Sequence, residues 1–202
     1  MSKQSKSVRF AEVDRETSET DVRLTLDLDG GTKVDADTGI PFFDHMLREL
    51  GLHGHLDLGI KVRGDLSVDD HHTVEDAGIG LGMAIRRAMM DSDAIMRFGS
   101  AQLPMDDALV LVSIDMIGRG HLEFDVEFTR ESIGGLSLES VREFFQALVV
   151  NAGMTVHIRK LAGVNDHHVC EAIFKGFGVA MHQALVRSDR RSGAASHRKV
   201  RT

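Results

Sequence analysis

Two short segments of the 202-residue chain carry closely spaced side chains of the types that bind metal ions. Residues 70–84 have the sequence DHHTVEDAGIGLGMA, and residues 166–180 have DHHVCEAIFKGFGVA. They agree without a gap at an offset of 96 (166 − 70), including a doubled histidine and a glutamate. A duplicated fold would explain repeated glycines and apolar residues, but not repeated His and Glu at ligand spacing. Metal binding is therefore predicted for the motifs Asp70–Asp76 and Asp166–Glu171.

Helix geometry predicts how the two motifs share their ligands. Residues four apart lie on one face of an α-helix, so the first histidine and the glutamate of each motif can hold one ion together. The second histidine points about 100° away, so we expect it to reach the ion of the other motif across a pseudo-twofold interface. Two imidazoles and a carboxylate suit manganese, iron or zinc. The predicted sets are His167, Glu171 and His72 at one ion, and His71, Glu75 and His168 at the other.

An octahedral ion needs further ligands, and the preceding helix of each half is the predicted source. His45 stands 26 residues before His71 (71 − 45), and Glu143 stands 24 residues before His167 (167 − 143). We assign His45 to the ion of His167, and Glu143 to the ion of His71.

The apolar pattern around the motifs predicts the elements that position them. Each half is expected to run strand, strand, helix, strand, helix, with a weaker strand near the N-terminus and the motif opening the second helix. This predicts an α+β fold of two pseudo-symmetric halves, each a small mixed four-stranded sheet with two helices on one face. The predicted halves, 1–93 and 94–190, pack as one domain and are followed by a basic tail, 191–202. Whether the sheets pack face to face or through their helices stays open.

Composition narrows the class of protein. The net charge of −7 argues against general nucleic-acid binding, and no apolar run approaches the ~18 residues of a membrane span. The single cysteine, Cys170, excludes an internal disulfide and fits a reducing cytosol. Gly78, Gly80 and Gly82 lie within the predicted ligand-bearing helix, which favours close helix packing over a phosphate loop. We expect a cytoplasmic protein without nucleic-acid or membrane partners.

These residues resemble the imidazoleglycerol-phosphate dehydratase family over nearly the whole chain, from Arg15 to about Arg187. The most specific stretches are PFFDHML, DDHHTVEDAGIGLG, NAGMTVHIRKLAG and NDHHVCEAIFKGFG. The resemblance implies two similar α+β halves, a homo-oligomeric shell of 24 subunits with active sites between subunits, and two Mn²⁺ ions per site. It divides the ligands as the helix geometry does, with His45, His72, His167 and Glu171 at one ion and His71, Glu75 and His168 at the other.

The implied activity is removal of water from D-erythro-imidazole-glycerol phosphate to give imidazole-acetol phosphate in histidine biosynthesis. The proton to be removed sits on a carbon without an adjacent carbonyl, so it is barely acidic. Two ions that hold the substrate ring as an imidazolate would let the ring expel the neighbouring hydroxyl. Loss of the next C–H proton to a base then gives an enol, which tautomerises to the ketone.

The resemblance also implies roles for individual residues. Glu19 is the implied base, Asp106 assists it, and Glu75 and Glu171 count as catalytic carboxylates as well as ligands. The implied substrate contacts are Glu19, His45, His53, His71 and His72, with phosphate contacts at Arg97, Arg119 and Lys175 and, in the tail, at Ser196, Arg198 and Lys199.

The chain departs from the family pattern at two places. Many relatives carry a histidine before the Phe-Phe pair of the third helix, where this chain has Glu143. A carboxylate is a sound manganese ligand, so the substitution bears on metal preference rather than on activity. Relatives end in a Pro-Ser-x-Lys-Gly-like segment, whereas residues 194–199 here have the sequence AASHRK, which leaves the register of the tail open.

Two other functions stay open from the sequence. One is a two-metal hydrolase that generates a metal-bound hydroxide, which would need an open water position and no imidazole substrate. The other is a non-catalytic metal-binding shell protein, which would tolerate loss of Glu19 and of the arginines. A direct assay of the dehydration separates both from the implied enzyme.

Overall fold

The computed structural model describes residues 8–90 and 94–188 and confirms an α+β fold of two similar halves. The predicted boundary at residue 93 touches an undescribed stretch, 91–93, and the tail 191–202 lies outside the described residues. The first half contains β1 (Phe10–Glu16), β2 (Thr20–Asp27), β3 (Val34–Asp37), α1 (Pro41–Gly54), β4 (Asp57–Gly64) and α2 (His71–Met89). The second contains β5 (Phe98–Met105), β6 (Ala108–Asp115), β7 (His121–Asp125), β8 (Ser132–Ile133), β9 (Leu136–Ser137), α3 (Leu138–Ala152), β10 (Thr155–Ala162) and α4 (Asp166–Leu185).

Each four-stranded sheet contains one strand that the predicted element order lacks, and the second half also has the two-residue strands β8 and β9, which form a separate small sheet. In the first half this strand is β3, whose four residues include two aspartates. In the second half it is β5, which contains Gly99 and Pro104. The apolar alternation in β3 spans only four residues, and that in β5 includes the small residues Gly99 and Ala101 and is interrupted by Pro104, so both are weak strand signals. Since β5 lies at an edge of its sheet, its proline removes no ladder hydrogen bond that the sheet needs.

The two four-stranded sheets have the same topology. Their strand orders are β1-β2-β4-β3 and β5-β6-β10-β7. In each sheet the last strand runs parallel to its neighbour, and the other pairs are antiparallel. This equivalence confirms the pseudo-symmetry inferred from the repeat.

The halves pack through their helices. Helix α2 packs against α3, and α1 packs against α4, while α2 lies on β1 and β2 and α4 lies on β5 and β6. The helices therefore form a layer between the two sheets. Gly82 and Gly178, which are 96 residues apart, lie at the two helix contacts. A Cβ atom on either would stand 2.5 Å from a carbonyl oxygen of the facing helix, which confirms the close packing predicted for the glycines of α2.

The centre of the helical layer is aromatic. The fully buried rings of Phe43, Phe144, Phe145, Phe174 and Phe177 contact one another with centroid separations of 5.0–6.4 Å. Burying each such side chain contributes about 1.5–3 kcal/mol. These rings come from α1, α3 and α4, so they fix three of the four helices that carry candidate ligands. None of the described helices is both long and apolar enough to cross a membrane.

Candidate metal centre

Each motif lies at the start of its helix, as predicted, and a buried aspartate anchors each beginning. Asp70 accepts a hydrogen bond from the backbone N–H of Ser137 at 2.6 Å, which ties the start of α2 to the other half. Asp166 accepts hydrogen bonds from the backbone N–H groups of Thr129 and Arg130. The first residue of each repeated motif is thus an anchor that orients the histidines following it, a role the sequence analysis did not assign.

Three of the predicted ligands meet at the contact between α1 and α4. His45, His167 and Glu171 each offer one ligand atom within 4.8 Å of the others. Glu171 Oε2 lies 3.4 Å from His45 Nε2 and 3.2 Å from His167 Nε2. The ring of Phe42 lies against His167, with centroids 5.0 Å apart. Two imidazole nitrogens and one carboxylate oxygen converging on one point are a donor set that fits manganese, iron or zinc.

The carboxylate of Glu171 is held ionised. Burial by itself raises the pKa of this group, but hydrogen bonds from Lys175 and His45 outweigh burial, so the pKa lies below its ordinary value. Lys175 Nζ is 2.5 Å from Glu171 Oε1, the oxygen that does not face the imidazoles. A charged carboxylate with one oxygen directed at two imidazoles is ready to bind a cation.

Glu49 links this cluster to a predicted substrate contact. Its carboxylate lies 3.3 Å from Lys175 Nζ and 3.4 Å from His53 Nε2, and 3.9 Å from His45 Nδ1. Lys175 and His53 are thus brought to the edge of the site through a residue that the sequence analysis missed. Its position one helical turn after His45, on the same face, is the signal that would have identified it.

The remaining predicted ligands do not join a second group within one chain. His71 Nε2 lies 3.9 Å from Glu75 Oε2, as the helix spacing predicts. Across residues 8–90 and 94–188, however, only the His45, His167 and Glu171 group places three such ligand atoms together. His72 is absent from it, so the predicted crossing of His72 to this ion is not formed inside a single chain. Glu143 contacts the neighbouring Arg142.

The predicted base, Glu19, and the residue predicted to assist it, Asp106, lie in corresponding hairpin turns. Glu19, between β1 and β2, places Oε2 3.9 Å from His72 Nε2. Asp106, between β5 and β6, places Oδ2 3.5 Å from His168 Nε2. Asp106 has a positive φ of 47°, a conformation that aspartate tolerates in such two-residue turns. Each turn therefore brings a carboxylate to the second histidine of one doublet.

The predicted phosphate contacts lie in different parts of the fold. Arg97 pairs with Asp115 at 2.6 Å and lies 4.8 Å from the centre of the Phe98 ring, which holds its guanidinium in place. Arg119 is exposed in the loop before β7. The three predicted tail contacts lie outside the described residues; they are Ser196, Arg198 and Lys199.

Comparisons with known proteins agree on one family. A family model described as imidazoleglycerol-phosphate dehydratase matches residues 38–181. The chain is 50% identical to the enzyme of that name from Bordetella petrii, over 95% of this chain and 98% of that protein. It is 48% identical to the one from Desulforamulus reducens, with the same coverage.

Solved structures with the same name have the same fold. The Staphylococcus aureus structure matches with a TM-score of 0.81 and 35% identity, covering 89% of this chain and 99% of that one. The Pyrococcus furiosus structure matches with a TM-score of 0.78 and 36% identity, covering 90% and 97%.

Proposed function

Because the chain belongs to the imidazoleglycerol-phosphate dehydratase family, we propose that it removes water from D-erythro-imidazole-glycerol phosphate with two Mn²⁺ ions per active site. Membership makes the chain a hydro-lyase of histidine biosynthesis, and the product is imidazole-acetol phosphate. The observation that carries the metal dependence is the convergence of His45, His167 and Glu171. These side chains come from two helices of different halves, and they meet with their ligand atoms directed at one point.

A second copy of the chain completes the site. His72 stands apart from the group that would need it as a fourth ligand. The second set, His71, Glu75, His168 and Glu143, likewise forms no group within the described part of one chain. A homo-oligomer, for which we propose 24 subunits, supplies the missing ligands across an interface. A cytoplasmic location accords with this assignment.

Metal ions bound here would supply the Lewis acidity that lowers the cost of deprotonating the substrate ring. His45, His167 and Glu171 would hold one ion, and the anchors at Asp70 and Asp166 hold the two histidine doublets at their helix starts.

Glu19 then removes the C–H proton. Its carboxylate is about half exposed and lies beside His72, so it reaches from the turn toward the site without itself being a ligand. Asp106 stands in the corresponding turn of the other half. A base held within hydrogen-bond reach of the reacting proton typically contributes about 10²–10⁴-fold to the rate.

The substrate phosphate is held by cations. Lys175 already stands at the edge of the His45, His167 and Glu171 group, and Arg97 and Arg119 offer guanidinium groups whose planar donors match phosphate oxygens. The tail residues Ser196, Arg198 and Lys199 are proposed to add to this contact.

The decisive experiment is conversion of imidazole-glycerol phosphate by the purified, metal-stripped protein with and without added Mn²⁺. We expect turnover only with the metal, and we expect Glu171→Gln to lose it while the exposed Glu139→Gln keeps it. Turnover that is unaffected by chelation would refute the metal dependence. Metal binding without any dehydration would favour a two-metal hydrolase or a metal-binding shell protein instead.

A further inference from the structure

Two aspartates outside the predicted ligand set each contact the second histidine of one doublet. Asp65 follows β4, and its two oxygens lie 3.1 and 3.2 Å from His72 Nδ1. Asp107 lies in the turn between β5 and β6, and its Oδ1 is 2.7 Å from His168 Nδ1. Resting on the metal-binding role in the proposed function, we infer that Asp65 and Asp107 are positioning residues. They hold these imidazoles with Nδ1 protonated and Nε2 available to the metal.

The chemistry of the contact fixes the tautomer. An ionised carboxylate only accepts hydrogen bonds, so the imidazole nitrogen facing it must be the donor. The other ring nitrogen of a neutral imidazole then carries the lone pair that binds metal. His45 and His167 also direct Nε2 at the candidate site, toward Glu171. All four imidazoles therefore agree on Nε2 as the ligand atom.

The two contacts are not a by-product of the internal repeat. Asp65 follows β4, whose counterpart in the second half is β10, whereas Asp107 lies in the turn between β5 and β6, whose counterpart is the turn between β1 and β2. Each half therefore supplies its carboxylate from a different place in the fold. Carboxylates from two unrelated positions thus make the same contact with histidine Nδ1, which supports a functional role for that contact.

Asp107 is held rigidly while it faces His168. Its Oδ2 accepts hydrogen bonds from the backbone N–H groups of Val164 at 2.7 Å and Asn165 at 3.1 Å. The carboxylate cannot rotate away from His168 without leaving these two backbone donors unpaired. The side chain of Asn165 in turn caps α4 by accepting from the N–H of His167.

This geometry predicts an unusual order for substitutions at position 107. In Asp107→Asn, the two backbone donors keep the single amide oxygen, so the amide nitrogen must face His168 Nδ1. An N–H donor there stabilises the tautomer that carries its proton on Nε2, which cannot bind metal. Asp107→Ala imposes no tautomer. We therefore expect Mn²⁺ affinity to fall in the order wild type, Asp107→Ala, Asp107→Asn.

At position 65 we expect Mn²⁺ affinity to fall in the order wild type, Asp65→Asn, Asp65→Ala. Within the described residues, the Asp65 carboxylate accepts a hydrogen bond only from His72. Asp65→Asn can therefore turn its oxygen toward Nδ1 and retain the correct tautomer, whereas Asp65→Ala cannot. Asp57 provides a matched control because its Oδ1 also accepts from two backbone N–H groups, those of Gly31 and Lys33. No imidazole contacts it among the described residues.

The test is Mn²⁺ titration of the metal-stripped full-length protein, with free Mn²⁺ measured by its electron paramagnetic resonance signal. Loss of an outer-shell partner typically lowers metal affinity about 10–100-fold, so we expect a loss of this size for Asp107→Asn and for Asp65→Ala. Asp57→Asn should bind as wild type does. Circular dichroism melting shows whether each variant is folded. If an Asp107 variant does not fold, the inference is tested by comparing the Mn²⁺ affinities of Asp65→Asn and Asp65→Ala.

Several outcomes would overturn the inference. If Asp107 served only to hold its loop, Asp107→Ala would bind Mn²⁺ more weakly than Asp107→Asn. Unchanged Mn²⁺ affinity in Asp65→Ala would show that Asp65 does not position His72. Turnover is measured separately on the wild type. Absent dehydration with the predicted order of affinities would refute the proposed reaction but not this inference. A wild type that binds no Mn²⁺ would refute both.

Discussion

Replacing Gly82 by alanine, at the contact between α2 and α3, has two opposing effects on the stability of the fold. Alanine in place of glycine inside a helix stabilises it by about 0.5–1 kcal/mol. The new Cβ would, however, stand 2.5 Å from Leu148 O, 2.8 Å from Asn151 Cβ and 3.0 Å from Ala152 N. Ordinary contacts begin at 3.4 Å, so the helices must separate by up to 0.9 Å (3.4 − 2.5).

The clash should outweigh the gain in helix propensity. Two of the three nearest atoms are backbone atoms, which cannot rotate away as a side chain can. Forcing an extra methyl group into a packed interior costs about 1–3 kcal/mol. Subtracting the helix gain leaves a net loss of up to about 2.5 kcal/mol. For a chain of this size, each 1 kcal/mol lowers Tm by about 2–4 °C.

The matched control lies on the same helix. At Gly80 the nearest atoms to a new Cβ are side-chain methyl groups, Val22 Cγ1 at 3.0 Å and Leu24 Cδ1 at 3.9 Å. We expect Gly80→Ala to change Tm less than Gly82→Ala in parallel calorimetric scans of metal-free protein. A Gly82→Ala variant that melts at or above the wild-type temperature would refute the close approach of the two helices.

Three further outcomes are expected. Glu19→Gln should retain Mn²⁺ and substrate binding but slow turnover by about 10²–10⁴-fold in steady-state assays; near-normal turnover would remove Glu19 as the base. His72→Ala should lower the bound metal found by elemental analysis and weaken the oligomer seen by light scattering, and unchanged metal content would contradict the proposed ligand sets. Hydrogen bonds from Arg9 and then Arg187 hold the pKa of Asp29 well below its usual range, so its contribution to stability is complete above the unfolded pKa of about 3.9 and is lost as the pH falls toward the folded value. The Tm difference between wild type and Asp29→Asn should therefore be larger at pH 7 than at pH 3; an equal difference would count against the ion pair.

Much of the fold was predictable because the repeat and the apolar periodicity are strong local signals. Each repeated motif was predicted to open the second helix of its half, and both do so. Strands β3 and β5 were missed because β3 has only four residues and β5 contains Gly99 and Pro104, so their sequences signal a strand only weakly. The choice between sheet-on-sheet and helix-mediated packing depends on which apolar faces meet, which a single sequence does not state.

The candidate site was predictable to the extent that its residues lie on helices. His167 and Glu171 follow from helical spacing, and the chemistry of the repeat pointed to their role. Asp65, Asp107 and Glu49 were missed because single carboxylates are common, and nothing in their local sequence shows which imidazole or ammonium they contact. His72 also does not join the ligand group within one chain, because helical spacing predicts which residues share a face but not which faces meet.

The ammonium group of Lys175 has a consequence for folding in the absence of metal. It neutralises Glu171 through Oε1 and leaves Oε2 with the two imidazoles, so the buried acid has a counter-ion before any metal arrives. Small zinc domains, by contrast, remain unfolded until they are loaded. We therefore expect this chain to fold before it binds its cations, so that chelation yields a metal-free but folded protein that can bind metal again.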